Sequence, residues 1–224
     1  MEGIVRLGET LDAAVVGERG VRLGKLAKRG VRVAEGFVVP RGVLLEDGLT
    51  NRLALAFDEL GARSVIVRGG EMGDEDEATL KYIDKQSLVA AIGRLRRQSS
   101  NAAVIFQRTL NAELSGTILT MNPETSNNQE LWLESYWWLG ESVVFESKKP
   151  EVMLLEKNSG TVIMHEDGDE PTGLSAQHLE DLQEASLATE HLMGWPSKID
   201  WAFENGVLYI LDVRKLKLLE EEKW

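Results

Sequence analysis

The stretch that most constrains this chain is residues 198–214, KIDWAFENGVLYILDVR. Two runs rich in β-branched and aromatic residues flank Glu204, Asn205 and Gly206, which together form a hairpin turn signal. The loop length decides the register. A two-residue Asn205-Gly206 loop pairs Glu204 with Val207 and puts Asp200 and Asp212 on opposite faces. A three-residue loop with Gly206 left-handed pairs Phe203 with Val207. Ile199, Trp201, Phe203, Val207, Tyr209, Leu211 and Val213 then share one apolar face, and burial favours that register. The other face carries Lys198, Asp200, Ala202, Leu208, Ile210, Asp212 and Arg214. Two carboxylates and a guanidinium on one face of adjacent strands are a donor set for Mg²⁺ and an anionic oxygen. The plain alternative is a solvated face with cross-strand ion pairs, each worth roughly 0.2–1 kcal/mol.

Composition narrows the choices around this hairpin. The chain has 224 residues, 43% hydrophobic and 28% charged, which suits a globular fold of one large core or two small lobes. A net charge of −12 argues against a duplex-binding face and so against a nucleic-acid partner, but leaves room for a local basic pocket that holds a small anion. With no cysteine, disulfides, thiolate catalysis and thiolate metal sites are excluded, and a reducing cytoplasm is the expected location. The first residues lack the basic flank and apolar stretch of a targeting signal, and no apolar run approaches the roughly 20 residues of a membrane span.

The elements before the hairpin read in order. A short helix with turns follows residue 12, with Val21, Leu26 and Ala27 on one face and Gly30 as a stop. Residues 36–40 form an apolar strand closed by Pro40. Residues 41–61 read as a helix carrying Leu53, Phe57 and Leu60, capped by Gly61. A buried strand, Ser64–Arg68, runs into a Gly- and acid-rich loop at 69–77, and an amphipathic helix spans 87–98. After residue 102 the pattern turns β-rich, with strands expected at 103–107, 115–120, 131–135, 142–145 and 152–155. A helix over 176–193 starts at Ser175 as N-cap and buries Leu179, Leu182, Ala185, Ala188 and Leu192. The expected organisation is α+β: an α/β lobe over 1–101 and a mostly antiparallel lobe over 102–224, acting as one functional unit.

Five segments, in order, resemble a known family. Gly17 to Leu26, followed by Val33 to Pro40, is similar to its opening "GxKxxxLxxL…VPxGFVV". Ser64 to Arg68 is similar to "VxVRSSA". Val104 to Gln107, with Ser115-Gly116 and Asn122-Pro123, is similar to "VxVQxM…SGVxFTxNP". Trp138 to Val144, with Lys149-Pro150, is similar to "GLGExVVxGxxxPD". Glu190 to Arg214 is similar to "IExHxGxPxDIEWAxxxGxLYILQxRP". The chain thus resembles the N-terminal ATP-binding domain of phosphoenolpyruvate synthase, pyruvate phosphate dikinase and rifampin phosphotransferase, in a compact and divergent form. The resemblance implies an ATP-grasp-type fold with two lobes and a nucleotide cleft between them. It also implies ATP and Mg²⁺ as cofactors, and phosphoryl transfer from ATP to a histidine on a swivelling domain. Such a histidine domain does not follow the hairpin here, so a separate acceptor protein is expected as partner.

The resemblance also carries site residues across. Arg19 stands where the family has a phosphate-contacting lysine, and Arg68 matches the strand-end arginine that holds phosphates. Gln107 matches the glutamine near the adenine, and Glu141 the glutamate of "GLGE". Asp200 and Asp212 stand at the metal-binding glutamate and glutamine, and Arg214 at the phosphate-facing arginine. Arg68 and Arg214 are the expected catalytic residues. Four departures stand out. Asp200 is a methylene shorter than glutamate, and Asp212 is charged where the family has an amide. Lys198 reverses a charge, and the small segment that covers the phosphates is reduced to about Ala78–Lys81. The loop also gains Glu71, Asp74, Glu75, Asp76 and Glu77, which repel a triphosphate unless a metal intervenes. These changes support an alternative, a catalytically degenerate nucleotide-sensing or binding scaffold.

Other motifs carry less. Gly17 to Leu26 lacks the spacing of a phosphate-binding Walker loop. His165, His178 and His191 have no metal-ligand spacing. Residues 167–169 read as a solvated loop, and Trp132, Trp137 and Trp138 as packing residues.

Overall fold

The computed structural model describes residues 3–44, 47–70, 79–98, 102–137 and 148–217. The chain divides into two compact units, Met1–Leu110 and Asn111–Trp224. The division falls after Leu110 rather than after residue 101. The strand Val104–Arg108, grouped above with the second lobe, lies at the centre of the first unit's sheet.

Among its described residues, the first unit forms a five-stranded sheet in the order β1-β2-β5-β3-β4. The strands are β1 (Val5–Arg6), β2 (Gly36–Val39), β3 (Val65–Gly69), β4 (Thr79–Ile83) and β5 (Val104–Arg108), paired antiparallel throughout. Two helices, α2 (Asp47–Glu59) and α3 (Leu88–Gln98), cover one face. There Leu53, Phe57, Ile92 and Leu95 pack on Val65, Val67, Val104 and Phe106. The rings of Phe37 and Phe106, register partners, stack 4.8 Å apart. The other face takes α1 (Ala13–Lys28), whose Val16 and Val21 pack on Val38, Ala103 and Ile105. Asp12 caps α1 by accepting the Ala14 amide at 2.9 Å.

Three readings change here. The helix expected over 41–61 is shorter, because Gly42 adopts φ +79 and α2 starts only at Asp47. Residues 79–81, expected as a reduced phosphate cover, form the edge strand β4, with Thr79 opposite Arg68 and Leu80 packed on the core. The acidic residues of the 69–77 loop, Glu71 onwards, lie outside the described residues.

The second unit forms a six-stranded antiparallel sheet in the order β11-β10-β6-β7-β8-β9. Its strands are β6 (Leu114–Leu119), β7 (Glu130–Trp137), β8 (Glu151–Glu156), β9 (Val162–Glu166), β10 (Ser197–Glu204) and β11 (Val207–Lys215). The strand expected at 142–145 lies outside the described residues. Helix α4 (Ala176–Met193) packs on β10 and β11, and the His178 ring lies 4.5 Å from that of Phe203. Ser175 and His178 form a reciprocal capping box at its start. The buried line of α4 runs through Leu182, Ser186 and Thr189, while Ala188 is exposed, so the expected stripe is rotated. Residues 167 and 169 are exposed, as expected of a solvated loop, and the Asp169 carboxylate accepts the Lys149 amide at 2.8 Å.

The closing hairpin reaches the expected face by another route. Its loop is the two-residue one: Asn205 and Gly206 adopt φ +53 and +71, and Glu204 pairs with Val207. Phe203 then faces Leu208, and Trp201 faces Ile210. Between Trp201 and Asp200 the register shifts, and Asp200 faces Asp212, with Leu211 as the extra residue. Leu208 and Ile210, not Val207, Tyr209 and Leu211, therefore share the face of Ile199, Trp201 and Phe203. Burial drives the choice, since Ile210 is 1% exposed. The Glu113 carboxylate accepts the amides of Asn205 at 3.0 Å and Gly206 at 3.3 Å, holding the turn.

Two stability predictions follow from these contacts. Glu113→Ala is expected to cost about 1 kcal/mol, because two turn amides lose a charged acceptor; urea denaturation measures it. The second concerns buried Glu151, which meets His165 Nε2 at 2.7 Å, the Thr172 amide at 3.1 Å and the Thr172 hydroxyl. Burial raises its pKa, but Thr172 and His165 outweigh that and hold the carboxyl below its usual 4.5. The contribution is therefore complete above the ordinary glutamate value and is lost as pH falls through the lower folded one. The stability gap between the wild type and Glu151→Gln, followed by thermal denaturation, is expected to shrink below about pH 4.5.

Candidate functional site

The expected site residues fall into two sets. Arg19, Arg68 and Gln107 stand in the first unit, and Asp200, Asp212 and Arg214 in the second. Glu141 lies outside the described residues.

In the first unit, strand alternation sends Val65 and Val67 to the α2–α3 side and Arg68 to the α1 side. Gln107 of β5 shares that side, and Arg68 Nη1 donates to Gln107 Oε1 at 3.2 Å. Both side chains are buried. Arg19 reaches the same strand end: its Nη1 donates to the Gly69 carbonyl at 2.7 Å and its amide to the Gly70 carbonyl at 3.0 Å. Arg19 is thus tied to the backbone of the strand end through both its side chain and its amide.

Glycines make this approach feasible. Gly17 interrupts α1 with φ +73, and a Cβ there would lie 2.4 Å from the Gly70 carbonyl oxygen. A Cβ on Gly70 would lie 2.8 Å from the Val16 oxygen and from Ala103 Cβ. Arg22, one helical turn beyond Arg19, is a further buried guanidinium of α1. Sequence reasoning passed over it, although its i+3 spacing from Arg19 was visible.

In the second unit, strand pairing builds the site as a row. Asp212, Asp200, Thr117 and Glu134 are successive register partners across β11, β10, β6 and β7, so they share one face. Thr117 Oγ1 donates to Asp200 Oδ1 at 3.2 Å. Arg214 Nη2 donates to Asp200 Oδ2 at 3.0 Å, and its Nε stands 3.9 Å from Asp212 Oδ2. Asp212 Oδ1 accepts the Val213 amide at 2.9 Å. Asp212 is nearly enclosed, its side chain 4% exposed, while Asp200 is open at 24%. Facing side chains of this kind sit about 5 Å apart, where two carboxylates repel by roughly 3 kcal/mol at an effective dielectric of about 20. A cation must lie against this pair, and Arg214 supplies one.

The donor set has the chemistry of a Mg²⁺ site. It offers hard oxygens only: two carboxylates on one face with a hydroxyl beside them. Among the described residues, no group of three or more His, Cys, Asp or Glu could hold a metal. A hard cation that takes one or two carboxylates and completes its shell with phosphate and water fits such a set. Trp132 Nε1 donates to Glu134 Oε1 at 3.1 Å on the same face, whereas Trp137 is exposed. No helix among the described residues is long and apolar enough to cross a membrane.

Similarity to known proteins bears on the family and the fold. Residues 76–172 match the family described as pyruvate phosphate dikinase, AMP/ATP-binding domain. The chain is 28% identical over 144 residues to a probable phosphoenolpyruvate synthase of Methanocaldococcus jannaschii, covering 54% of this chain and 12% of that protein. It is 29% identical over 151 residues to the phosphoenolpyruvate synthase of Pyrococcus furiosus, covering 54% and 18%. An uncharacterized phosphotransferase of Bacillus subtilis, YvkC, is 22% identical, covering 95% and 34%. The chain therefore spans only 12–34% of the length of these relatives. Among solved structures, the D-alanine–D-alanine ligase of Bacillus anthracis matches with a TM-score of 0.56 at 13% identity, over 94% of this chain and 59% of that one. The ligase of Coxiella burnetii matches with a TM-score of 0.55 at 11% identity, over 88% and 47%. These likenesses establish the ATP-grasp-type fold, in keeping with the mixed α+β elements.

The Gly17–Gly70 approach gives a direct prediction. Gly17→Ala adds a Cβ at a left-handed φ against backbone oxygen, and is expected to cost at least about 2 kcal/mol, read as a lowered thermal midpoint.

Proposed function

We propose, from the premise that this chain is a divergent relative of the AMP/ATP-binding domain of pyruvate phosphate dikinase and phosphoenolpyruvate synthase, that it binds ATP with Mg²⁺. In this reading it donates a phosphoryl group from ATP to a histidine of a separate partner protein, in the cytoplasm. The observation that carries the reading is the shifted register of β10 and β11. It sets Asp200 opposite Asp212 and brings Arg214 to both.

The residues divide the work. Arg19, Arg68 and Arg214 neutralise phosphate oxygens, which suits a reaction that relies on positioning and charge stabilisation. Gln107 and Glu141 contact the nucleotide through polar groups. Asp200 and Asp212 hold the metal, which when bound screens the phosphate charges from the two carboxylates. Thr117 fixes one oxygen of Asp200 and so aims the other. In the transfer, an imidazole nitrogen of the partner forms a bond to phosphorus. The bond from phosphorus to the nucleotide oxygen breaks, and the nucleotide leaves with the electron pair.

One observation favours a second reading, a nucleotide-binding module without transfer. Both oxygens of Asp200 are engaged by the protein's own groups, Thr117 and Arg214. Retaining that ion pair when nucleotide is present leaves the metal fewer oxygens.

Calorimetric titration with ATP and Mg²⁺ tests the first reading. Wild-type binding is expected to weaken at least tenfold in Arg68→Ala and to lose its Mg²⁺ dependence in Asp200→Asn. Absence of ATP binding by the wild type would sink it. Radiolabelled ATP with an added histidine domain from a longer relative then separates the readings: label on the histidine supports transfer, and tight binding without label supports the module.

A further inference from the structure

The sequence puts Lys198 on the face of Asp200, Asp212 and Arg214 and marks it as a reversed charge. In the fold it is the register partner of Arg214, one step along the same face from the Asp200–Asp212 pair. On its other side it faces Leu119, and Trp132 follows, so no carboxylate stands beside it in that row. Facing residues on antiparallel strands hold their Cβ atoms about 4.5–5.5 Å apart, and like charges so placed destabilise the sheet. Arg214 is compensated by Asp200 at 3.0 Å and Asp212 at 3.9 Å. The Lys198 side chain, half-buried, has no hydrogen-bond or ion-pair partner among the described residues.

The chain thus places two carboxylates in one row and two cations in the next, with the second cation uncompensated. We infer that Lys198, paired with Arg214, binds the terminal phosphoryl group of a nucleoside triphosphate and sets the preference for triphosphate over shorter phosphate chains. The inference rests on the ATP reading above and adds a residue to it. Rows of like-facing residues along a strand lie about 7 Å apart, so a phosphate chain held at the carboxylate row extends onto the cation row. Arg214 is tethered to Asp200, whereas Lys198 brings three rotatable donors on a flexible stem. It is therefore the group able to follow a phosphoryl oxygen. The anion in turn relieves the repulsion between the two cations.

Calorimetry with the full chain tests this, using ATP, ADP, AMP and inorganic tripolyphosphate, each with Mg²⁺, on the wild type, Lys198→Met and Lys198→Arg. Lys198→Met is expected to weaken ATP and tripolyphosphate roughly tenfold or more while leaving AMP unchanged, and Lys198→Arg to recover most of the loss. Equal weakening of ATP and AMP, or no change for either triphosphate, overturns the inference. Unchanged circular dichroism and thermal midpoint confirm that Lys198→Met folds. Wild-type binding of tripolyphosphate that Lys198→Met weakens, with no binding of any adenine nucleotide, supports the cation pair and defeats the ATP reading. A wild type that binds neither defeats both.

Discussion

The second unit depends on a mismatch between its turn and its ladder. The Asn205-Gly206 loop alone would send Asp200 and Asp212 to opposite faces of the sheet. One extra residue, Leu211, restores their alignment. Below the bulge, Trp201 and Phe203 meet Ile210 and Leu208 and bury against the helix side. Above it, Asp200 and Lys198 meet Asp212 and Arg214 on the opposite face. The bulge thus reconciles a favourable turn, a buried apolar set and a charged row, which no regular hairpin of this sequence could satisfy together. Arg214 then compensates the two carboxylates that this alignment forces together.

The first unit solves a different problem, the close approach of a helix start to a strand end. Gly17 and Gly70 let backbone meet backbone, and the amide of Arg19 closes the contact on the Gly70 carbonyl. Hydrogen bonds then fix Arg19 to Gly69 and Arg68 to Gln107. These are buried polar groups, costly if left unpaired, and each pairing holds a guanidinium in a set direction. The side of the sheet facing α1 is accordingly polar at one end and apolar where Val16 and Val21 pack.

Elements with strong periodicity were legible in the sequence: α3, α4, β2, β3 and the hairpin strands. The five ordered segments also pointed to the fold that the structural likenesses establish. What escaped the sequence was set by tertiary partners. Residues 104–108 follow the helical half but pair with β2 and β3, so composition placed the division too early. The edge strand β9 is exposed along most of its length and shows no alternation to read. The α4 stripe rotated because Ser186 and Thr189 are buried in preference to Ala188. The bulge at Leu211 was hidden because the three-residue loop yields a fully apolar face without one. That loop places Val207, Tyr209 and Leu211 with Trp201, and Leu208 and Ile210 with Asp200, whereas it places Asp212 and Arg214 on the face of Asp200, where they lie. Thr117 gave no signal at all, since only the pairing of β6 with β10 brings its hydroxyl to Asp200.

Charge gives the last step. A chain of net charge −12 surrounds itself with anions, yet it buries Arg19, Arg22 and Arg68 in one unit and half-buries Arg214 and Lys198 in the other. Burying a cation costs more than leaving it in water unless a specific partner offsets the loss. Arg19 Nη1 meets a carbonyl and Arg68 Nη1 a neutral amide oxygen, each contact fixing a direction for its guanidinium. Arg214 meets carboxylates, but these also suit a divalent cation. In the second unit the carboxylates beside Arg214 and the uncompensated Lys198 in the next row give the charge pattern that a metal-bound polyanion complements, and packing alone would not select it.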